Sequence, residues 1–247
     1  MYPILGRYGR FFLYSYTVTM GLGIAAGLWL THRLARREPH ADWPDGALAS
    51  LAAGLLGGRL GFVMGQWTYF QERPGEVWQL WRGGLSYHGA LLAGLLGLWL
   101  WRRQKKRPFT AYADLLAPGL ALATSFGWLA CWLDRCAFGR QTTLGLFAAG
   151  LPDNYGLFAV RYQTQMLGLT LSLLVLLLVL WRRPRARAGA LFGWTLLGLS
   201  TGHALVSLWR GDVVPLVGPV RIDTILDLAL AITALMWLQY TRVMIRR

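Results

Sequence analysis

The sequence predicts an all-α, polytopic integral membrane protein with seven transmembrane helices, its N-terminus outside and its C-terminus cytoplasmic, with residues 1–247 as a single transmembrane domain. Three observations carry this expectation. Hydrophobic residues make up 55% of the chain and charged residues only 15%, against roughly 25% charged in an ordinary soluble domain. The apolar residues gather into seven runs near the ~20-residue length that crosses a bilayer core of about 30 Å. Lys and Arg are shared unequally between alternate loops. A mean hydropathy of +0.39 excludes disorder. The net charge of +14 does not mark a nucleic-acid partner, because the cations punctuate the apolar runs and form no continuous patch.

The runs fall at 11–31, 46–67, 86–101, 110–133, 163–181, 189–209 and 222–240. The first lacks a short apolar core followed by a small-residue cleavage site, so it reads as a retained helix and not as a signal peptide. The second is interrupted by Arg59, the third opens beside His88, and the fourth carries Asp114. The fifth is the purest, nearly all Leu, Val and Trp from Leu167 to Trp181, and Arg182 and Arg183 close it. His203 falls in the sixth, and the seventh ends before the basic tail at Arg242.

Taken alternately, the loops at 32–45, 102–109 and 182–188 and the C-terminal tail hold 15 Lys and Arg, while the other side holds nine. The positive-inside rule places the richer side in the cytoplasm, and an odd number of spans then puts the termini on opposite sides. The longest stretch between runs, at about 134–162, lies on the outer side, and its Gly and Pro content predicts a compact surface excursion. No internal repeat supports a transporter built from repeated halves. The 13 Trp suit interfacial belts.

An ionisable group within a span costs about 2.5 to 3.5 kcal/mol on insertion scales and calls for a partner or a purpose. Arg59 sits among glycines in Gly57-Gly58-Arg59-Leu60-Gly61. It is either a packing residue paired to Asp114 or to helix-end carbonyls, or a bidentate anion contact. His88 lies in Trp81-Arg82-Gly83-Gly84-Leu85-Ser86-Tyr87-His88-Gly89, where flanking glycines let a ligand approach an imidazole able to act as a base near pH 7. Its bland alternative is a His satisfied by a neighbouring helix. Cys131 and Cys136 are five apart and cannot make a metal site by themselves. A disulfide is conceivable at an outer face, but five residues of helix turn the two side chains apart, so they are expected to be free and apolar.

Over nearly its whole length the chain resembles the prolipoprotein diacylglyceryl transferases of the bacterial inner membrane. Leu13-Tyr14-Ser15-Tyr16 with Met20-Gly21, then Gly57 to Val63, then Trp81 to Gly89, then Asp114-Leu115-Leu116-Ala117-Pro118 spaced to Gly127, resemble successive family motifs. The resemblance implies transfer of a diacylglyceryl group from phosphatidylglycerol to the lipobox Cys thiol of a lipoprotein precursor, with no cofactor and no metal. It implies catalytic roles for His88 and Tyr16 and lipid or phosphate contacts from Arg59, Arg135, Gly139, Arg140, His203 and Arg210, with Gly83, Gly84, Ser86 and Asp114 in support.

The family's signature segment departs here. In ungapped register Trp128 stands where the family has an Arg, Cys131 where it has Asn and Cys136 where it has Glu, while Gly139 and Arg140 keep the ending. A second family Arg corresponds to His203 and the Glu after it to Ser207, while Arg210 survives. Arg135, seven residues after Trp128, would lie on about the same face of a continued helix, roughly 10 Å along its axis, and could partly substitute. Three readings follow: a divergent transferase, a catalytically inactive relative serving as a lipid-binding or assembly subunit of a membrane complex, and an enzyme of the same fold acting on another lipid headgroup.

Overall fold

The computed structural model describes residues 2–9, 11–36, 42–80, 83–143, 145 and 147–244. Among them are seven helices of 18 or more residues: α1 (Ser15–Ala35), α2 (Trp43–Gly65), α4 (Tyr87–Lys105), α5 (Phe109–Asp134), α6 (Thr164–Arg182), α7 (Ala190–Ser207) and α8 (Ile222–Met244). A short helix, α3 (Trp67–Glu72), lies between α2 and α4. Three two-stranded antiparallel hairpins complete the described residues: β1 (Ile4–Tyr8) with β2 (Phe11–Tyr14), β3 (Ala148–Pro152) with β4 (Phe158–Tyr162), and β5 (Leu216–Val217) with β6 (Val220–Arg221). Among the described residues, four helices are long and apolar enough to cross a membrane: Trp43–Gly65, Phe109–Asp134, Thr164–Arg185 and Ile222–Val243.

Each predicted run overlaps one long helix, with ends shifted by up to four residues, as where α1, α4 and α8 continue to Ala35, Lys105 and Met244. The first helix begins at Ser15 and not at residue 11, because Phe11–Tyr14 pairs with Ile4–Tyr8. Ser15 is tied to that hairpin twice, its amide and its hydroxyl both donating to the Pro3 carbonyl. The second ends at Gly65, and the chain turns into α3 at Trp67.

The helices pack in pairs, α2 along α4, α1 along α5 and α7 along α8, with α5 also meeting α6 and α7. Small residues make the close crossings possible. The buried face of α1 reads Ser15, Thr19, Gly23, Gly27 and Thr31, one residue per turn. A Cβ at Gly27 would fall 2.6 Å from the Gly119 carbonyl oxygen, so these backbones touch where any side chain would separate them. The α2–α4 pair uses Gly54 and Gly57 against Gly94 and Gly89 in the same way. Larger side chains fill the middle of the bundle, with Leu98, Tyr112, Val179, Leu191, Phe192, Leu196 and Leu199 in one buried cluster.

At one end of the bundle α7 begins with a cap from another helix. Asp114 of α5 accepts the Gly189 amide at 2.6 Å and the Phe192 amide at 2.8 Å, satisfying two N–H groups that a helix start leaves open. Asp114 therefore neither pairs with Arg59 nor stands beside His88. It lies near the start of α5, at the end opposite the start of α4.

Candidate active site

His88 is set by the way α4 begins. Gly83 and Gly84 both have left-handed backbones, φ 79° and 78°, which turn the chain sharply from the preceding loop into the helix. Ser86 anchors the next step, its amide donating to the Gly58 carbonyl at 2.8 Å and its hydroxyl accepting from the Gly89 amide at 3.3 Å as the N-cap. Trp81 and Arg82, which open this motif, lie outside the described residues, as do Arg10, Arg37, Arg246 and Arg247.

Arg59 holds the loop from beneath. Its guanidinium donates to the carbonyls of Glu76 at 2.6 Å, Val77 at 2.6 Å, Gly83 at 2.7 Å and Gly84 at 3.2 Å, and it lies over the rings of Phe62 and Phe70. At 4% exposure it is buried. Of the alternatives for Arg59, the structure has the carbonyl-bound packing residue, since Nε, Nη1 and Nη2 all donate to backbone. Tyr16 borders the same loop: a Cβ placed on Gly83 would lie 3.7 Å from its ring.

The His88 ring meets α8. Its Nε2 lies 2.9 Å from Asp227 Oδ1, with side-chain exposures of 12% and 3%. Sequence reasoning missed Asp227, although a carboxylate inside an apolar run, one helical turn after Asp223, is a readable signal. From His88 a chain of rings runs inward: Tyr87 packs edge-on to His88 at 5.2 Å and against His203 at 4.2 Å, and His203 meets Trp128 at 5.0 Å. Three polar atoms of this group, Tyr87 Oη, Trp128 Nε1 and His203 Nε2, are buried with no hydrogen-bond partner among the described residues. The two positions where the resemblance expects Arg thus lie side by side, holding an indole and an imidazole.

Arg210 lies between α7 and α8 in a cluster of four charges. It meets Asp212 at 2.8 and 2.5 Å and Asp223 at 3.1 Å, while Arg221 meets Asp223 at 3.0 Å and Asp212 at 3.4 Å. Burial alone would lower the Arg210 pKa, but the Asp212 hydrogen bond and the charges of Asp212 and Asp223 hold it above its ordinary value. Beside it, Ser207 Oγ and Thr224 Oγ1 are 2.7 Å apart and join α7 to α8.

The segment after α5 closes over this end. Gly139 pairs backbone to backbone with Arg210, the Gly211 amide donates to the Phe138 carbonyl, and the Arg140 amide donates to the Trp209 carbonyl. The Arg140 side chain is exposed and lies over the Tyr162 ring. Two expectations about this segment are overturned. Cys131 and Cys136 are not free but form a disulfide. Arg135 does not continue the helical face of Trp128. Both have one cause: α5 ends at Asp134, and Arg135 and Ala137 take left-handed backbones, φ 68° and 52°, so the chain doubles back. The Arg135 Nε is buried with no hydrogen-bond partner among the described residues. Among those residues there is no group of three or more His, Cys, Asp and Glu able to hold a metal.

Residues 3–240 match the family model described as prolipoprotein diacylglyceryl transferase. A phosphatidylglycerol–prolipoprotein diacylglyceryl transferase of Acaryochloris marina is 32% identical over 96% of this chain and 90% of its own length. One of Bacillus licheniformis is 28% identical over 97% of this chain and 92% of its own length. One of Nocardia farcinica is 33% identical over 85% of this chain, which spans about half of that relative, 47%. Together with the motifs placed around His88, these matches settle the family: the chain belongs to the prolipoprotein diacylglyceryl transferases.

Proposed function

We propose that this protein transfers the diacylglyceryl group of phosphatidylglycerol to the lipobox Cys thiol of a lipoprotein precursor. It does so at the outer face of a bacterial inner membrane, which all seven long helices span with the N-terminus outside and the C-terminus cytoplasmic. The 134–162 excursion and the His88 end lie on the outer side. The observation that carries this reading is the His88–Asp227 pair, an imidazole held by a carboxylate at the glycine-rich entry of α4.

In the reaction the thiol proton moves to His88 and the sulfur attacks the lipid's glyceryl carbon. An S–C bond forms as the C–O bond to phosphate breaks. The electron pair of that bond leaves on the phosphate, and the proton held by His88 completes the glycerol phosphate product. The leaving phosphate needs cationic donors, each worth about 2.7–4 kcal/mol in comparable oxyanion sites. Arg59 and Arg210 are committed to carbonyls and carboxylates, so Arg135 and Arg140 take this role. Tyr87, Trp128 and His203 offer unpartnered polar atoms to the glyceryl and headgroup oxygens. Tyr16 walls the site beside Gly83, and Gly139 fixes the closing segment to Arg210. Asp114 serves the fold from the other end.

The three relatives are all named for the transferase, and none supports the assembly-subunit alternative. The test is complementation. In cells depleted of their own transferase, this chain restores lipidation of a reporter precursor, and His88→Ala abolishes it. Absence of lipidation with the wild-type chain present in the membrane overturns the reading.

A further inference from the structure

Asp223 and Asp227 stand one turn apart at the start of α8, on the same helical face. Their partners differ. Asp223 is met by both Arg210 and Arg221. Asp227 is 2% exposed, and its ion-pair and hydrogen-bond partner among the described residues is the His88 ring. A carboxylate buried in a helix of this kind calls for a partner or a purpose, and among the described residues no guanidinium is ion-paired with this one.

Its place in the site is informative. On α7, Ser207 occupies the position where the resemblance expects a carboxylate, and Ser207 is hydrogen-bonded to Thr224. Thr224 lies three residues before Asp227, on the adjoining face of α8. The helix that meets Ser207 through Thr224 thus carries a carboxylate of its own about one turn further on. The other groups around the pair do not compete for the ring's Nε2: Tyr87 packs edge-on to His88, His203 lies beyond Tyr87, and Arg210 is bound by Asp212 and Asp223.

Against an ionised carboxylate, which only accepts hydrogen bonds, a ring nitrogen at 2.9 Å must carry a proton, and in a neutral ring Nδ1 would then be the acceptor. We propose that Asp227 is the positioning residue of the transfer reaction: it holds His88 in the Nε2–H tautomer and aims Nδ1 at the precursor thiol. This inference rests on the proposed function.

The experiment uses full-length protein in mild detergent, mixed micelles of phosphatidylglycerol and a synthetic peptide carrying the lipobox Cys. Asp227→Asn can donate to Nε2 and so favours the opposite tautomer, and kcat is expected to fall on the order of 10²- to 10⁴-fold. KM for the peptide should change little. Asp227→Glu restores an acceptor, displaced by about one methylene, and should recover roughly tenfold of that loss. In 15N-histidine spectra, with the His88 signal assigned by its absence in His88→Gln, the wild type shows Nε2 protonated and Asp227→Asn shows Nδ1 protonated. Wild-type turnover that Asp227→Asn leaves within threefold, or a His88 tautomer that does not depend on Asp227, overturns the inference and leaves the transferase reading intact. A wild-type chain that transfers nothing overturns the transferase reading. If Asp227→Asn does not fold, Asp227→Glu decides: a displaced His88 tautomer or an undiminished kcat contradicts the positioning role.

Discussion

Trp128 and His203 meet edge to face, their ring centroids 5.0 Å apart and their planes at 77°. These are the two positions where the family resemblance leads one to expect guanidinium groups, and here they form one aromatic contact on α5 and α7. The indole is 6% exposed and lies over Gly168 of α6, where a Cβ would overlap the ring. Trp128→Ala should therefore cost about 3–5 kcal/mol of stability, the range for a large aromatic removed from a packed site. A double-mutant cycle of Trp128→Phe with His203→Gln should show coupling of about 0.5–1.5 kcal/mol. Thermal unfolding in detergent measures both, and additive effects would mean the rings are neighbours without mutual stabilisation.

Asp114 separates stability from chemistry. It caps α7 at Gly189, and His203 lies 14 residues further along the chain, about 21 Å at 1.5 Å per residue. Asp114→Ala strips the acceptor from two N–H groups and should destabilise the fold by about 1–3 kcal/mol. The folded fraction should keep its transfer rate, which unfolding curves and turnover measured on the same preparation will show.

The Asp42 carboxyl, in the loop before α2, is held below its ordinary range, chiefly by the hydrogen bond from the Tyr112 hydroxyl and further by Arg107 at 2.8 Å. A carboxyl whose folded pKa is depressed stabilises the fold above its unfolded pKa of about 4, and that contribution is lost as pH falls through the lower folded value. Unfolding temperature followed from pH 6 downward should drop more steeply for the wild type than for Asp42→Asn. Parallel curves would contradict this.

The Cys131–Cys136 disulfide closes a short loop around the left-handed turn that carries Arg135. Cross-linking a loop of this length is worth about 2 kcal/mol on the chain-entropy model. Reductant should lower the unfolding temperature of the wild type and leave that of Cys131→Ser/Cys136→Ser unchanged. Equal responses would show that the bond contributes nothing to stability.

Much of the helical plan was legible because apolar runs end where cations begin, as at Arg102 and Arg182, and because small residues mark the crossings. The chain's departures from an ideal helix were not. Counting five residues of helix from Cys131 separates it from Cys136, but the helix stops at Asp134, and the same stop removes Arg135 from the face of Trp128. The strand β2, Phe11–Tyr14, is short and apolar enough to read as the start of α1. At the site, His88 stood out through its glycines; Asp227 was readable as a carboxylate in an apolar run, but its pairing with His88, 139 residues away, was not. Arg59 was visible as an ionisable group in a run, but only the folded loop supplies the four carbonyls that explain it.

The proposed role of His88, at the mouth of α4, is to activate a Cys thiol against phosphatidylglycerol. Its most direct test is mass spectrometry of a lipobox peptide incubated with the purified protein and phosphatidylglycerol. The expected product is a peptide that has gained one diacylglyceryl group through its Cys sulfur, with glycerol phosphate released in equal amount, and no such product forms with His88→Ala. A wild-type protein that leaves the peptide unmodified, or a His88→Ala variant that modifies it equally well, would rule this role out.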